Sequence, residues 1–163
     1  MQNGNDSLIF VVEDNRVYNK LIVSYLKTNK FTNVMPFYSG EDTINNLYRK
    51  PDIIIQDFLL DGMNGIEVLK KAKELDHDVE FIFLSGQDNI DVAINTMKYG
   101  AYDYIVKDQM ALKKMVNKIN KIQSVNKLVQ SNKRYRVGVI IFFAVLIAIV
   151  LIVLGLTFFY PVR

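Results

Sequence analysis

The chain has 163 residues, 50% of them hydrophobic, and no cysteine, which leaves room for one domain plus an appendage and excludes disulfides and thiolate metal sites. Residues 1–108 carry 11 Lys or Arg against 17 Asp or Glu, whereas 109–163 carry 9 Lys or Arg and no acid, so the formal +3 joins an acidic domain to a basic tail. The acidic part argues against nucleic acid as a partner, and a basic segment beside an apolar one would meet anionic headgroups.

Met1–Ser7 is polar and shows no signal peptide, so the domain is expected to stay where it is made. Leu8–Val12 is an apolar run of strand length ending on Glu13-Asp14. Val17, Leu21, Ile22, Tyr25 and Leu26 then recur at helical spacing and predict the inward face of a first helix. Asn33–Phe37 reads as a second strand, placed at an edge by Pro36. Ser39 and Asp42 have the spacing of a capping box and open a second helix.

The stretch from Pro51 to Gly65 organises the rest. Ile53-Ile54-Ile55 has no polar alternation, which suits a central strand buried on both faces of a parallel sheet, and it runs into Asp57 at the strand's C-terminal edge. Ligands of open α/β sheets bind beyond that edge. A carboxylate there is costly unless a divalent metal or a lysine meets it.

Ile66, Val68, Leu69 and Ala72 make the next helix amphipathic, Val79–Leu84 is a fourth strand ending on Ser85-Gly86, and Ile90, Ala93, Ile94 and Met97 predict the inward face of its helix up to Gly100. Tyr102–Val106 is a fifth strand ending on Lys107. Five strands alternating with helices predict a doubly wound parallel α/β sheet. Three strand ends thereby converge, bringing Glu13, Asp14 and Asp57 together with Lys107 and with Ser85; a hard cation such as magnesium, which takes oxygen ligands, relieves their repulsion.

The last helix starts near Gln109, with neither Gly nor Pro before Gly138. Leu112, Met115, Ile119, Ile122 and Val129 lie on a heptad seam with Asn126 at the remaining core position, which leaves open a short coiled coil in a homodimer. The expectation is that Leu112–Ile122 packs on the sheet and the rest is a polar linker. Val137–Tyr160 is 24 residues without a charge, a helix about 36 Å long against a hydrocarbon core of roughly 30 Å, and so predicts one transmembrane helix. Ala144 and Ala148 form a small-xxx-small pair open to helix contact. Lys133, Arg134 and Arg136 precede the span and only Arg163 follows it, while Tyr135 and Phe158-Phe159-Tyr160 mark its interfaces; the domain is therefore expected on the cytoplasmic side of a single-pass membrane protein. The expected divisions are a domain at 1–122, a basic helical linker at 123–136, a transmembrane helix at 137–160 and a tail at 161–163.

The acidic pair in Val-Val-Glu13-Asp14-Asn, the Pro-Asp-Ile-Ile-Ile-Gln-Asp57 strand with its Gly62-Met63-Asn64-Gly65 turn, Ser85-Gly86, and Ala101–Lys107 together resemble the receiver domain of bacterial two-component response regulators over about residues 8–122. The resemblance implies a flavodoxin-like receiver fold with strand order 2-1-3-4-5. It also implies that Asp57 accepts a phosphoryl group from a histidine kinase or a histidine phosphotransfer protein. Glu13, Asp14, Asp57 and the carbonyl of Leu59 would bind Mg2+. Ser85 and Lys107 would contact the phosphoryl oxygens, and Tyr104 would turn inward as Ser85 moves.

Leu59 and Gln87 hold the positions that flank the path of hydrolytic water. Output would run through the face of the fourth helix, fifth strand and fifth helix to an unknown protein in or beside the lipid bilayer, because the chain leaves no room for another output domain. On this resemblance the chain is a signalling protein rather than an enzyme: a membrane-anchored single-domain regulator, with a phosphate sink, a phosphorelay intermediate or a non-switching scaffold as the alternatives.

Three positions depart from the family, one of them Gly86, which stands where a small alanine is usual and allows the same close backbone approach. Asp108 stands where a proline with a cis bond is usual, so a trans loop is expected with Lys107 aimed differently, and Asp61 replaces another usual proline near the metal. A dehalogenase-type phosphatase would need an aspartate at Leu59, and a flavin site would need a phosphate-binding loop where Glu13-Asp14 stand.

Overall fold

A computed structural model describes residues 7–159, with side chains described throughout except at 130–134, 136–138, 148 and 150–159. The chain divides into two units, 1–123 and 124–163. In the first, strands β1 (Ile9–Val12), β2 (Val34–Phe37), β3 (Ile53–Asp57), β4 (Glu80–Ser85) and β5 (Asp103–Val106) form one parallel sheet ordered β2-β1-β3-β4-β5. Helices α1 (Arg16–Thr28), α2 (Gly40–Asn45), α3 (Gly65–Leu75), α4 (Ile90–Lys98) and α5 (Ala111–Phe159) connect or follow them, with a 3-10 turn at Leu47–Arg49. The expected doubly wound α/β fold with strand order 2-1-3-4-5 is what forms.

The unbroken apolar run of β3 has its reason in two cores, one on each face of the sheet. Ile53 and Ile55 join Ile22 and Leu26 of α1 and Ala111, Met115, Ile119 and Ile122 of α5. Ile54 joins Val68, Leu69 and Ala72 of α3 on the other face. Pro36 sits in the edge strand, opposite Val11, as expected of a residue without an N–H to donate. Ser39 Oγ accepts the Asp42 N–H at 3.1 Å and caps α2.

Two helices keep part of the expected stripe, Ile22, Tyr25 and Leu26 in α1 and Ala93 in α4, and depart from the rest of it. In α4 the buried residue is Thr96, with Val92 and Ala93 half-buried, whereas Ile90, Ile94 and Met97 are 74%, 51% and 44% exposed. The Thr96 hydroxyl donates to the Ala93 carbonyl at 2.8 Å, which satisfies it within the helix and lets a polar residue take the inner stripe. In α1, Val17 and Leu21 are exposed and Asn19 is buried in their place. Its Nδ2 donates to the carbonyls of Phe37, Glu13 and Val11 at 2.8, 3.2 and 3.4 Å, tying the ends of β1 and β2 to the helix.

Of the heptad seam, Met115, Ile119 and Ile122 are buried in the sheet core and Leu112 packs beside them, which is the packing expected over a coiled coil; Val129 is exposed. In the second unit α5 continues to Phe159. Among the described residues no helix is long and apolar enough to cross a membrane. The expected span at 137–160, its basic flank, Ala148 and the Phe158–Tyr160 cluster lie largely outside the described side chains, and the tail at 161–163 lies outside the described residues. Val139–Phe143, Val145–Ile147 and Ile149 are described, and all are exposed.

Candidate functional site

Three loops meet at the C-terminal edge of the sheet, after β1, β3 and β5. The first carries Glu13 and Asp14, the second follows Asp57, and the third begins at Lys107. Carboxylate oxygens of Glu13, Asp14 and Asp57 lie within 4.8 Å of one another. Glu13 is 2% exposed and Asp57 7%, so neither charge is well hydrated.

Lys107 joins them. Its ammonium donates to Glu13 Oε2 and to Asp57 Oδ2, each at 2.7 Å. Burial raises the Glu13 carboxyl above its ordinary range and the Asp57 charge adds to this, against the lowering effect of the Lys107 hydrogen bond. Burial alone would lower Lys107, but its hydrogen bonds to Asp57 and Glu13 outweigh that and leave it raised. The lysine is thus held charged, and the acids hold more negative charge than one ammonium offsets.

Each loop is fixed by its own backbone. Leu59 N–H donates to Asp57 Oδ1 at 3.2 Å, so this carboxylate also closes the turn after β3. Lys107 N–H donates to the Ser85 carbonyl at 2.6 Å. Asp108 does not disturb this: its carboxylate accepts from the Met110 N–H at 2.8 Å and from Lys114 Nζ at 2.6 Å, at the start of α5. The Lys114 bond, then the Met110 bond, hold the Asp108 carboxyl below the usual range. No described peptide bond is cis, and Lys107 still reaches Asp57. Asp61 is exposed.

Ser85 is buried at the end of β4, and its Oγ accepts the Gln87 N–H at 3.0 Å. The Gln87 carbonyl in turn accepts the Tyr104 hydroxyl at 2.9 Å. Tyr104 packs edge-on against Phe58 with ring centroids 6.2 Å apart, next to the turn that follows Asp57. Ser85, Gln87 and Tyr104 therefore form one connected chain. Leu59 is 52% exposed beside it. His77, in the turn after α3, is exposed.

The donor set fits magnesium. It offers carboxylate oxygens, no sulfur and no imidazole, and its excess negative charge is confined to one corner of a sheet edge.

Three nearby residues escaped sequence reasoning. Asn15 Oδ1 caps α1 by accepting the Val17 and Tyr18 N–H groups at 3.0 and 3.1 Å, for which the Asp-Asn-Arg spelling before an amphipathic run was a legible signal. Tyr18 lies with its ring centroid 4.8 Å from Lys107 Nζ. Gln56, fully buried beside Asp57 in sequence, has neither side-chain polar atom hydrogen-bonded among the described residues. Gln56→Met is expected to raise stability by about 1 kcal/mol, measured by urea denaturation, because it removes an unsatisfied amide at similar volume; a loss of stability would show that the amide is satisfied in solution.

Gly65 begins α3 under the same residue. A Cβ there would lie 2.9 Å from Gln56 Nε2 and 2.9 Å from a Phe83 ring carbon. Gly65→Ala should cost about 2 kcal/mol by overpacking, read as a lowered denaturation midpoint.

Among known proteins, the family model described as response regulator receiver domain matches residues 9–120. Regulatory protein LuxO of Vibrio cholerae is 34% identical over 119 residues, covering 72% of this chain and 26% of that protein. Transcriptional regulatory protein CssR of Bacillus subtilis is 35% identical over 100 residues, covering 61% of this chain and 44% of that protein. The chain thus spans less than half the length of these curated relatives. The solved signal receiver domain of a putative LuxO repressor protein from Vibrio parahaemolyticus superposes with a TM-score of 0.67 at 28% identity, covering 76% of this chain and 97% of that one.

Proposed function

The chain belongs to the response regulator receiver domain family, and from that premise we propose that it is a phosphorylation-dependent signalling protein whose phosphoryl acceptor is Asp57. The observation that carries this reading is the Lys107 ammonium bonded at 2.7 Å to both Asp57 and Glu13, beside a third carboxylate. An Asp57 carboxylate oxygen attacks phosphorus of a phosphohistidine on a kinase or phosphotransfer protein. The P–N bond breaks as the P–O bond forms, the imidazole leaves as the neutral ring once protonated, and Asp57 becomes a mixed anhydride. Magnesium, held by Glu13, Asp14, Asp57 and the Leu59 carbonyl, would shield the anionic charge of the incoming group. Lys107 supplies a fixed positive charge to the phosphoryl oxygens.

Ser85 provides the switch. Its Oγ accepts from Gln87, which leaves the hydroxyl proton for a phosphoryl oxygen, and any shift of Ser85 is passed through Gln87 to Tyr104. Tyr104 belongs to β5, so the change reaches the α4-β5-α5 face, where Ile90, Ile94 and Met97 stand exposed for a protein partner.

We also propose that residues 137–160 anchor this module in a cytoplasmic membrane with the receiver on the cytoplasmic side. An all-round apolar helix needs a non-aqueous surrounding, and the described residues between Val139 and Ile149 are exposed on every side. Anchoring would raise the effective concentration for a membrane-borne partner. Resistance of the full chain to extraction by alkaline carbonate is the expected result, and release into the wash would overturn the anchor.

The functional reading is tested by incubating the full chain with an acyl phosphate, with and without magnesium, and weighing it intact. Magnesium-dependent gain of one phosphoryl group is expected; no gain in either condition overturns the reading. Leu59 presents an apolar side chain beside Asp57 and keeps hydrolytic water unoriented. Leu59→Asn should therefore shorten the aspartyl-phosphate half-life several-fold, and an unchanged decay rate would remove that role.

A further inference from the structure

Lys107 depends on two acceptors that it does not hold alone. Glu13 and Asp57, its hydrogen-bond partners at 2.7 Å, are two of the three carboxylates whose oxygens converge within 4.8 Å. A cation bound by those oxygens would compete with the lysine for them and repel its charge. A third contact on the ammonium, one that offers no oxygen to a metal, would keep the lysine in place through that competition.

Tyr18 is built to make such a contact. The centroid of its ring lies 4.8 Å from Lys107 Nζ, inside the range at which the negative face of an aromatic ring attracts an ammonium. Its backbone N–H donates to the Asn15 cap at 3.1 Å, which fixes the first turn of α1 just after the acid pair. The rest of the ring is half-buried against the core shared by α1 and α5, which limits its freedom to turn away. The same pocket lowers the local dielectric, where such an attraction is strongest.

We propose that Tyr18 is a positioning residue for phosphoryl transfer: its ring face holds the Lys107 ammonium over Asp57 while the surrounding carboxylates are engaged elsewhere. The inference rests on the reading of Asp57 as phosphoryl acceptor. It assigns to α1 a part in the chemistry beyond carrying the acidic loop. A ring that served packing alone would act through stability and through no particular partner.

The test uses the full chain, magnesium and an acyl phosphate, with phosphoryl uptake followed by intact mass over time. Tyr18→Phe keeps the ring face and is expected to stay close to the wild-type rate. Tyr18→Leu is expected to slow uptake by about tenfold, the size of a partly desolvated cation–π contact. Phenylalanines carrying one, two and three ring fluorines at position 18 preserve shape while draining the ring face of negative charge, and should lower the rate stepwise. In a Lys107→Ala background, Tyr18→Leu should cost nothing further.

Rates indifferent to fluorination, or an equal loss from Tyr18→Leu with and without Lys107, would overturn the inference while leaving Asp57 phosphorylation standing. No uptake by the wild type would overturn the functional reading and this inference together.

Discussion

Asp57→Asn is expected to take up no phosphoryl group from an acyl phosphate and magnesium, and yet to be more stable than the wild type by about 1 kcal/mol. The first half follows from the chemistry, because an amide oxygen is too weak a nucleophile to form the anhydride. The second follows from the charges. Three carboxylates converge here and a single ammonium is bonded to two of them. Asparagine is nearly isosteric, keeps an oxygen for the Leu59 N–H, and leaves the Glu13–Lys107 pair intact. What it removes is one of the like charges held at a site where Asp57 is only 7% exposed. Intact mass and urea denaturation in magnesium-free buffer check the two halves. Uptake that persisted in the variant would move the acceptor elsewhere, and a loss of stability would mean that the Lys107–Asp57 bond outweighs the repulsion.

This crowding of charge at one sheet edge was partly visible in the sequence. Ile53-Ile54-Ile55 running into Asp57 has one physical solution, a strand covered on both faces with a carboxylate at its open end, and Glu13-Asp14 and Lys107 sit at the ends of runs of the same kind. Strand ends of a parallel sheet must share an edge, so the site's members were legible without their geometry. Helix faces were less so. In α4, of the expected Ile90, Ala93, Ile94 and Met97 only Ala93 turns inward, joined by Val92 and Thr96; the two stripes share a period, and a threonine hydroxyl that satisfies itself lets a polar residue take the inner one. Asn19 displaced Val17 and Leu21 for a related reason: its amide donates to three carbonyls near the ends of β1 and β2, and hydrophobic periodicity does not register such bonds. Tyr18 carried no signal at all, since its partner lies far along the chain at Lys107.

Lys107→Ala is expected to behave in the opposite sense, losing about 3 kcal/mol of stability at neutral pH. That figure is the low end for removing one partner of a buried pair, taken because the lysine side chain is 19% exposed while Glu13 is 2% exposed. The deficit should depend on pH. Glu13 is already raised by burial and by Asp57, and the variant loses the Lys107 hydrogen bond and charge that oppose this, so its folded-state pKa rises further. A carboxyl whose pKa is higher folded than unfolded binds its proton more tightly in the native state. Its contribution is fully present below the unfolded pKa and is lost as pH rises through the folded one. The variant should therefore approach wild-type stability in mild acid and fall away from it toward neutrality. Magnesium should narrow the gap at neutral pH, raising the melting temperature of Lys107→Ala more than that of the wild type, because in the variant no ammonium competes for the same oxygens. A deficit independent of both pH and magnesium would mean that Lys107 supports the fold through packing, and that the carboxylates are separated well enough in solution to need no cation.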